Sequence, residues 1–90
     1  MEEYHALCEA QDFEGAEELL ARAIVERPKY QSFLHFKFGC LYSQWNKLSS
    51  ATDHLHQAAG LAKHAEDEIL LVQILEELRR VKRRQVEQQP

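Results

Sequence analysis

Apolar and small residues recur every three or four positions between Asp12 and Arg27, which is the rhythm of an amphipathic helix. The residues on this stripe are Phe13, Ala16, Leu19, Leu20, Ala23 and Ile24. Asp12 can cap the helix, because its carboxylate can accept hydrogen bonds from the free amides of the first turn. Pro28 disfavours a helical conformation for Arg27, so the helix is predicted to end there.

A shorter stretch, residues 3–10, precedes this helix and has a similar rhythm. Its apolar positions are Tyr4, Leu7 and Cys8. Only a short turn at Gln11-Asp12 separates the two stretches, so residues 3–30 are predicted to form an antiparallel helical hairpin.

Residues 32–63 are predicted to form a second hairpin. The first helix is rich in large apolar residues, namely Phe33, Leu34, Phe36, Phe38, Leu41, Tyr42 and Trp45. Ser32 is its predicted N-cap, and Asn46-Lys47 is the predicted turn. The second helix is predicted to start at a cap formed by Ser49 or Ser50. Its stripe consists of Ala51, Leu55, Ala58, Ala59 and Leu61.

A break near His64-Ala65 precedes a last helix, predicted over residues 66–86. Acidic residues stand at its start and basic residues near its end, which is favourable for the helix dipole. Its predicted apolar face consists of Ile69, Leu71, Val72, Leu75, Leu78 and Val81. The sequence therefore predicts a single all-α domain over residues 1–90.

The two predicted hairpins share a pattern of residue sizes at an offset of 35 positions. The matched pairs are Ala16 with Ala51, Leu20 with Leu55, Ala23 with Ala58, Phe13 with Leu48, and Leu7 with Tyr42. Each pair keeps its size class. Hairpins repeated at this period are typical of stacked units that cannot bury their apolar faces alone.

This pattern resembles the tetratricopeptide repeat, a hairpin of about 34 residues. In that family the first helix carries a large apolar residue, a small one and then an aromatic, as in Phe38-Gly39 and Tyr42. The second helix carries small, large and small residues, and a proline follows it. The matches are Ala51, Leu55 and Ala58, and in the first repeat Ala16, Leu20, Ala23 and Pro28. The resemblance implies an α-α superhelix of two hairpins over residues 3–63 and a capping helix.

Some positions depart from the family pattern. His35 replaces a large apolar residue, Lys63 replaces the proline after the second repeat, and Glu3-Tyr4 replaces the large-small pair. The family's lysine and asparagine clamp for the C-terminal carboxylate of heat-shock chaperones is not carried over. The corresponding positions hold Met1, His5, Phe33 and Lys37.

The amino-acid composition supports a mostly helical chain and indicates where in the cell the protein is located. Only three glycines and two prolines interrupt it, and no stretch approaches the roughly 20 apolar residues that span a bilayer. The acidic start is unlike a secretory signal. We therefore expect a cytoplasmic protein without membrane contact, with the nucleus as the alternative. Cys8 and Cys40 then fit as small buried hydrophobes, in preference to a disulfide.

The net charge of −4 is unevenly distributed. Acidic residues dominate the first hairpin, and a basic patch lies near the C-terminus. The patch consists of Arg79, Arg80, Lys82, Arg83 and Arg84. It is typical of a solvated helix end, and alternatively of a nuclear import signal or a phosphate-contacting segment. Because no aromatic residues are interleaved, specific recognition of nucleic acid is not indicated.

The sequence contains no pattern that predicts catalysis. The five histidines lack a recognisable metal-ligand spacing. No glycine-rich loop or strand-turn-helix elbow is present to build a nucleophilic site. We therefore expect a chain that is not an enzyme and needs no cofactor or metal, with histidines at the surface or partly buried.

The aromatic helix carries more large apolar residues than one face can hold. Since first helices line the groove of tetratricopeptide arrays, the resemblance implies that this helix contacts a partner peptide or helix. The implied contacts are Phe36, Cys40, Ser43 and Gln44. Alternatively, Phe33 and Phe36 pack between the hairpins.

The predicted function is therefore that of a protein-protein interaction module, a scaffold or adaptor. Two hairpins are fewer than the three repeats that usually make a stable solenoid, which predicts an origin in a larger repeat protein. One alternative is a module that binds nucleic acid or directs nuclear import through the basic patch. Another is a homo-oligomer that buries the aromatic helix.

Overall fold

The computed structural model describes residues 2–88 of the chain. Within this range it contains five α-helices, one short 3-10 helix and no strand, so the all-α prediction is confirmed. The elements are α1 (Glu2–Glu9), α2 (Phe13–Glu26), the 3-10 turn Pro28–Tyr30, α3 (Gln31–Gln44), α4 (Leu48–His64) and α5 (Glu68–Gln88). Met1, Gln89 and Pro90 belong to the predicted domain but lie outside the described residues.

The turns after α1, α3 and α4 share one backbone geometry. In each, a residue other than glycine adopts a positive φ, at Gln11 (59°), Asn46 (60°) and Glu66 (58°). The next amide donates back to the helix, from Asp12 to the Leu7 carbonyl (2.8 Å), from Lys47 to Tyr42 (2.8 Å) and from Asp67 to Ala62 (2.9 Å). This is the Schellman arrangement that ends many helices. The first two turns are 35 residues apart, which is the offset of the sequence pattern.

Two helices begin with an aspartate whose carboxylate accepts a backbone hydrogen bond. Asp12 Oδ1 accepts from the Gly15 amide at 3.1 Å, which confirms the predicted cap of α2. Asp67 Oδ1 accepts from the Leu70 amide at 3.1 Å at the start of α5. Each aspartate thus satisfies one amide that the helix leaves free.

The serine caps predicted for α3 and α4 are wrong. Helix α3 already includes Ser32, and its hydroxyl donates to the Ala58 carbonyl of α4 at 3.2 Å. Helix α4 begins at Leu48, one residue before Ser49, and has no side-chain cap. A serine beside a predicted start can equally stand inside the first turn, where its hydroxyl is free for a tertiary contact.

The core consists of two clusters of buried side chains. The first joins α1, α2 and α3 through Tyr4, Ala16, Leu20, Leu34, Phe38 and Leu41. The second joins α4 and α5 through Leu48, Ala51, Leu55, Ala58, Ala62, Ile74, Leu78 and Val81. The half-buried Tyr42 of α3 packs against both clusters.

Helices α3 and α4 pack closely at Gly39. A Cβ atom on this buried glycine would lie 2.5 Å from Leu55 side-chain atoms and 3.4 Å from the Ala51 carbonyl oxygen. The glycine therefore permits the close packing of the two helices. The matched leucines, Leu20 and Leu55, are both fully buried.

The apolar face predicted for the last helix is partly wrong. Leu78 and Val81 are buried, but Ile69, Val72 and Leu75 are exposed, and Ile74 is buried instead. The helix has more apolar positions than α4 can cover, so its outer face is not the fully polar surface of a solvating cap. Among residues 2–88, no helix has the length and apolar character needed to cross a membrane.

Candidate binding surfaces

The four residues predicted to contact a partner do not form one exposed surface. Phe36 is half-buried and packs against the α4–α5 cluster. Cys40 is also half-buried, and burial raises the pKa of its thiol to about 11. Ser43 is buried, whereas Gln44 is exposed. Of the four, only Gln44 is exposed.

Ser43 is occupied by a contact with the last helix. Nη1 of Arg84 donates to the Ser43 carbonyl oxygen at 2.9 Å and to its hydroxyl at 2.8 Å. Nη2 of Arg84 donates to Asn46 Oδ1 at 3.2 Å. This guanidinium therefore joins α5 to the end of α3 and the turn that follows.

The basic patch is consequently smaller than the sequence predicted. Arg84 is held by α3, and Arg80 pairs with Glu77 one turn earlier at 3.0 Å. Arg79, Lys82 and Arg83 are exposed. Three cations of the five remain outside the described intramolecular contacts and could meet a phosphate.

An open groove of about 660 Å³ lies between α1, the second half of α2 and the start of α3. Its apolar lining comprises Tyr4, Leu19, Ala23, Tyr30, Phe33 and Leu34. Its charged lining comprises Glu2 and Glu3 on α1, and Arg22, Glu26 and Arg27 on or just after α2. The groove therefore combines an apolar lining with an acidic α1 side and an α2 side that carries two arginines and one glutamate.

Tyr4 fixes one side of this groove. Its ring is buried, its hydroxyl donates to the Lys37 carbonyl oxygen at 3.3 Å, and burial raises the pKa of the phenol well above its usual value. The Lys37 ammonium lies 5.7 Å from the Tyr4 ring centroid and 5.3 Å from that of Phe33. Cation-π contacts at this distance hold the lysine over both rings.

Two histidines face each other between α3 and α4. The Nδ1 atoms of His35 and His54 are 3.1 Å apart, and their rings stack with centroids 5.3 Å apart. The His54 ring also stacks on Phe38 and Tyr42, at 4.8 and 5.3 Å. Since one nitrogen must donate and the other accept, at least one imidazole is neutral. Both side chains are partly buried, which confirms one of the two placements predicted for histidines.

The surroundings of the pair favour the neutral form of both imidazole rings. Burial lowers the pKa of His35, and burial followed by the nearby His35 lowers the pKa of His54. Asp53 and Glu17 act in the opposite direction on His54 with smaller effect. Glu17 also accepts a hydrogen bond from the Tyr42 hydroxyl. Among residues 2–88, no three histidine, cysteine or acidic side chains are grouped to hold a metal ion.

Sequence reasoning missed both the groove and the histidine pair. The groove is formed by residues from four separate segments, and no local pattern marks them. The pair joins residues 19 positions apart on different helices. A signal was present at His35, which occupies a position that should pack against the neighbouring helix.

Comparisons with protein-family models, with curated proteins and with solved structures gave no match. The class that the described residues define is a small all-helical domain whose consecutive helices pack against one another. The resemblance to tetratricopeptide repeats rests on the residue pattern and stays a prediction.

Proposed function

We propose that the chain is a protein-interaction module of the tetratricopeptide type that holds a partner peptide in the groove between α1, α2 and α3. The supporting observation is the groove itself, with its apolar floor and charged rim. Sites that bind other molecules commonly combine an apolar lining with a few polar groups that fix orientation. The repeated turn geometry and the close packing at Gly39 support stacked hairpins as the architecture.

The lining indicates the chemistry of the peptide. Tyr30 is 57% exposed, so its ring offers an apolar contact that the fold itself leaves unused. Glu2 and Glu3 lie on the α1 side, whereas the α2 side carries two arginines and Glu26 and is therefore net positive. A complementary peptide presents an apolar anchor between a basic residue, facing α1, and an acidic residue, facing α2. Such a module acts as a scaffold or adaptor in the cytoplasm.

The proposal is tested by selecting binders from a displayed library of random peptides and measuring their affinities for variants. Tyr30→Ala should weaken a selected peptide about tenfold, or about 1.4 kcal/mol, as expected for an aromatic contact in a binding site. Val25→Ala is the matched control, because Val25 is 79% exposed on α2 and does not line the groove.

Charge reversal provides an independent test of the same site. Arg22→Glu should shift the selected peptides towards an additional basic residue, because the variant changes the sign of one rim charge. The proposal is wrong if selected peptides bind equally well to wild type and Tyr30→Ala, or if Val25→Ala causes the same loss.

A second function, contact with nucleic-acid phosphates, is favoured by the three exposed cations Arg79, Lys82 and Arg83. Three phosphate contacts on duplex DNA predict a slope of log affinity against log salt of about −2.7. Binding to a DNA duplex is measured at several salt concentrations, for wild type and for the variant with all three changed to Ala. An equal slope for both proteins excludes this function.

A further inference from the structure

The outward face of α5 carries a regular stripe of exposed residues. The outer stripe consists of Glu68, Val72, Leu75, Arg79, Lys82 and Val86. Its spacing alternates four and three residues, which is the spacing of a helix seam that packs against another helix. Val72, Leu75 and Val86 are 55%, 46% and 70% exposed. The opposite face packs against α4, so the outer stripe has no partner among the described residues.

The order of charged and apolar residues in the first four positions of the outer stripe allows two antiparallel copies of the helix to match each other. In chain order they are acidic, apolar, apolar and basic, namely Glu68, Val72, Leu75 and Arg79. Two such helices that run antiparallel, with the two-fold axis beside Gln73 and Ile74, place each acidic residue opposite a basic one. The two apolar residues of each helix then lie opposite those of the other helix.

We propose that two copies of the chain associate through the outer stripe of α5 in an antiparallel, two-fold symmetric pair. Glu68 then faces the partner subunit's Arg79, and Val72 faces the partner subunit's Leu75. By symmetry each contact forms twice, as in any isologous interface. The contact is separate from the groove and does not depend on the function proposed above.

Charge complementarity supports a second copy as the occupant. The one ion pair among residues 2–88 is that of Arg80 and Glu77, so neither Glu68 nor Arg79 is paired within the described chain. A parallel pair would set Arg79 against the partner subunit's Arg79, which is unfavourable. The antiparallel pair satisfies both charges and also sets the two helix dipoles in opposite directions.

The size of the contact indicates a weak dimer. The segment from Glu68 to Arg79 covers 12 residues, or about 18 Å of helix at about 1.5 Å per residue. A helix-helix contact of that length buries much less surface area than a stable protein interface does. Monomer and dimer should therefore exchange, with the dimer populated only at high protein concentration.

Sedimentation equilibrium over micromolar to millimolar concentrations tests the proposal. Wild type should show a reversible monomer-dimer equilibrium. Arg79→Glu should weaken association at least about tenfold, because it creates two repulsive contacts and removes two attractive ones. Glu68→Arg should have a similar effect. The double variant with both changes should recover most of the wild-type affinity, since the charges are exchanged.

Arg83→Glu is the matched control, because Arg83 is an exposed basic residue of α5 outside the outer stripe. It should associate like wild type, and thermal unfolding of each variant checks that the fold is retained. Three results would overturn the proposal. These are a monomer at every concentration, a double variant no better than either single one, and an equal loss in Arg83→Glu. The last result would instead indicate general attraction to the acidic first hairpin.

Discussion

Replacing Gly39 with alanine should destabilise the protein, although alanine is the better helix former. The new Cβ would lie 2.5 Å from Leu55 side-chain atoms, about 1 Å closer than a normal carbon-carbon contact. Leu55 is fully buried and cannot swing into solvent. Forcing an extra carbon into a packed core costs about 1–3 kcal/mol, against a propensity gain of about 1 kcal/mol. The clash should dominate, with a net loss of up to about 2 kcal/mol.

The same substitution at Gly60 is the matched control. Gly60 is an exposed residue of α4, and a Cβ added there would have no atom within 4 Å apart from its chain neighbours and the adjacent backbone of its own helix. Only the propensity gain remains, so Gly60→Ala should stabilise the protein by about 0.5–1 kcal/mol. The two variants are predicted to change stability in opposite directions.

Urea unfolding and thermal melts, followed by circular dichroism, measure the difference. For a domain of this size about 1 kcal/mol corresponds to about 4–8 °C in the melting temperature. Gly39→Ala should melt below wild type and Gly60→Ala above it. If Gly39→Ala is as stable as Gly60→Ala, helices α3 and α4 do not pack at the described separation, and the argument from the small residues fails.

Three further predictions concern the histidine pair, the turn between α1 and α2, and the contact of Arg84 with Ser43. Because the folded pKa values of His35 and His54 are lowered, stability should be full above about pH 6.5 and fall as pH drops through the folded pKa values. The free energy of unfolding should change with pH by at most about 1.4 kcal/mol per pH unit for each histidine. Urea unfolding at neutral and acidic pH should show a smaller pH dependence in His54→Gln than in wild type. Gln11→Gly should raise stability by about 1 kcal/mol in a thermal melt, since glycine adopts the positive φ of this turn without strain; an unchanged melting temperature would contradict this. Arg84→Ala should cost about 1–3 kcal/mol by leaving the buried Ser43 hydroxyl without its partner, which guanidinium chloride unfolding can measure against the exposed-site control Arg83→Ala.

The parts of the fold that were predictable are those set by local chemistry. Asp12 and Pro28 bound α2 because a carboxylate can satisfy free amides and a proline ring hinders a helical residue before it. The 35-residue offset was visible because the matched alanines, Ala16 with Ala51 and Ala23 with Ala58, must be small for helices to pack closely. The helix type and order followed from such features.

The predictions that failed concern residues whose burial or contacts depend on which other helix packs beside them. Apolar residues fill most sides of α5, so periodicity alone did not separate Ile74, which is buried, from Val72, which is exposed. The groove and the Arg84 contact with Ser43 require the relative positions of helices far apart in sequence. Those positions result from packing across the whole domain, which no local pattern contains.

Tyr42 packs against both buried clusters, so its ring is one of the contacts through which the two halves of the core meet. Helix α3 contributes residues to the first cluster, and the face of α3 that contains Gly39 lies against α4. The degree to which the two halves unfold together therefore depends on α3. If the link through this ring were weakened, the first hairpin could open while α4 and α5 stayed packed, and amide exchange would then differ between the two halves. The cooperativity of this small domain thus rests on the contacts between α3 and α4, of which the Tyr42 ring is one.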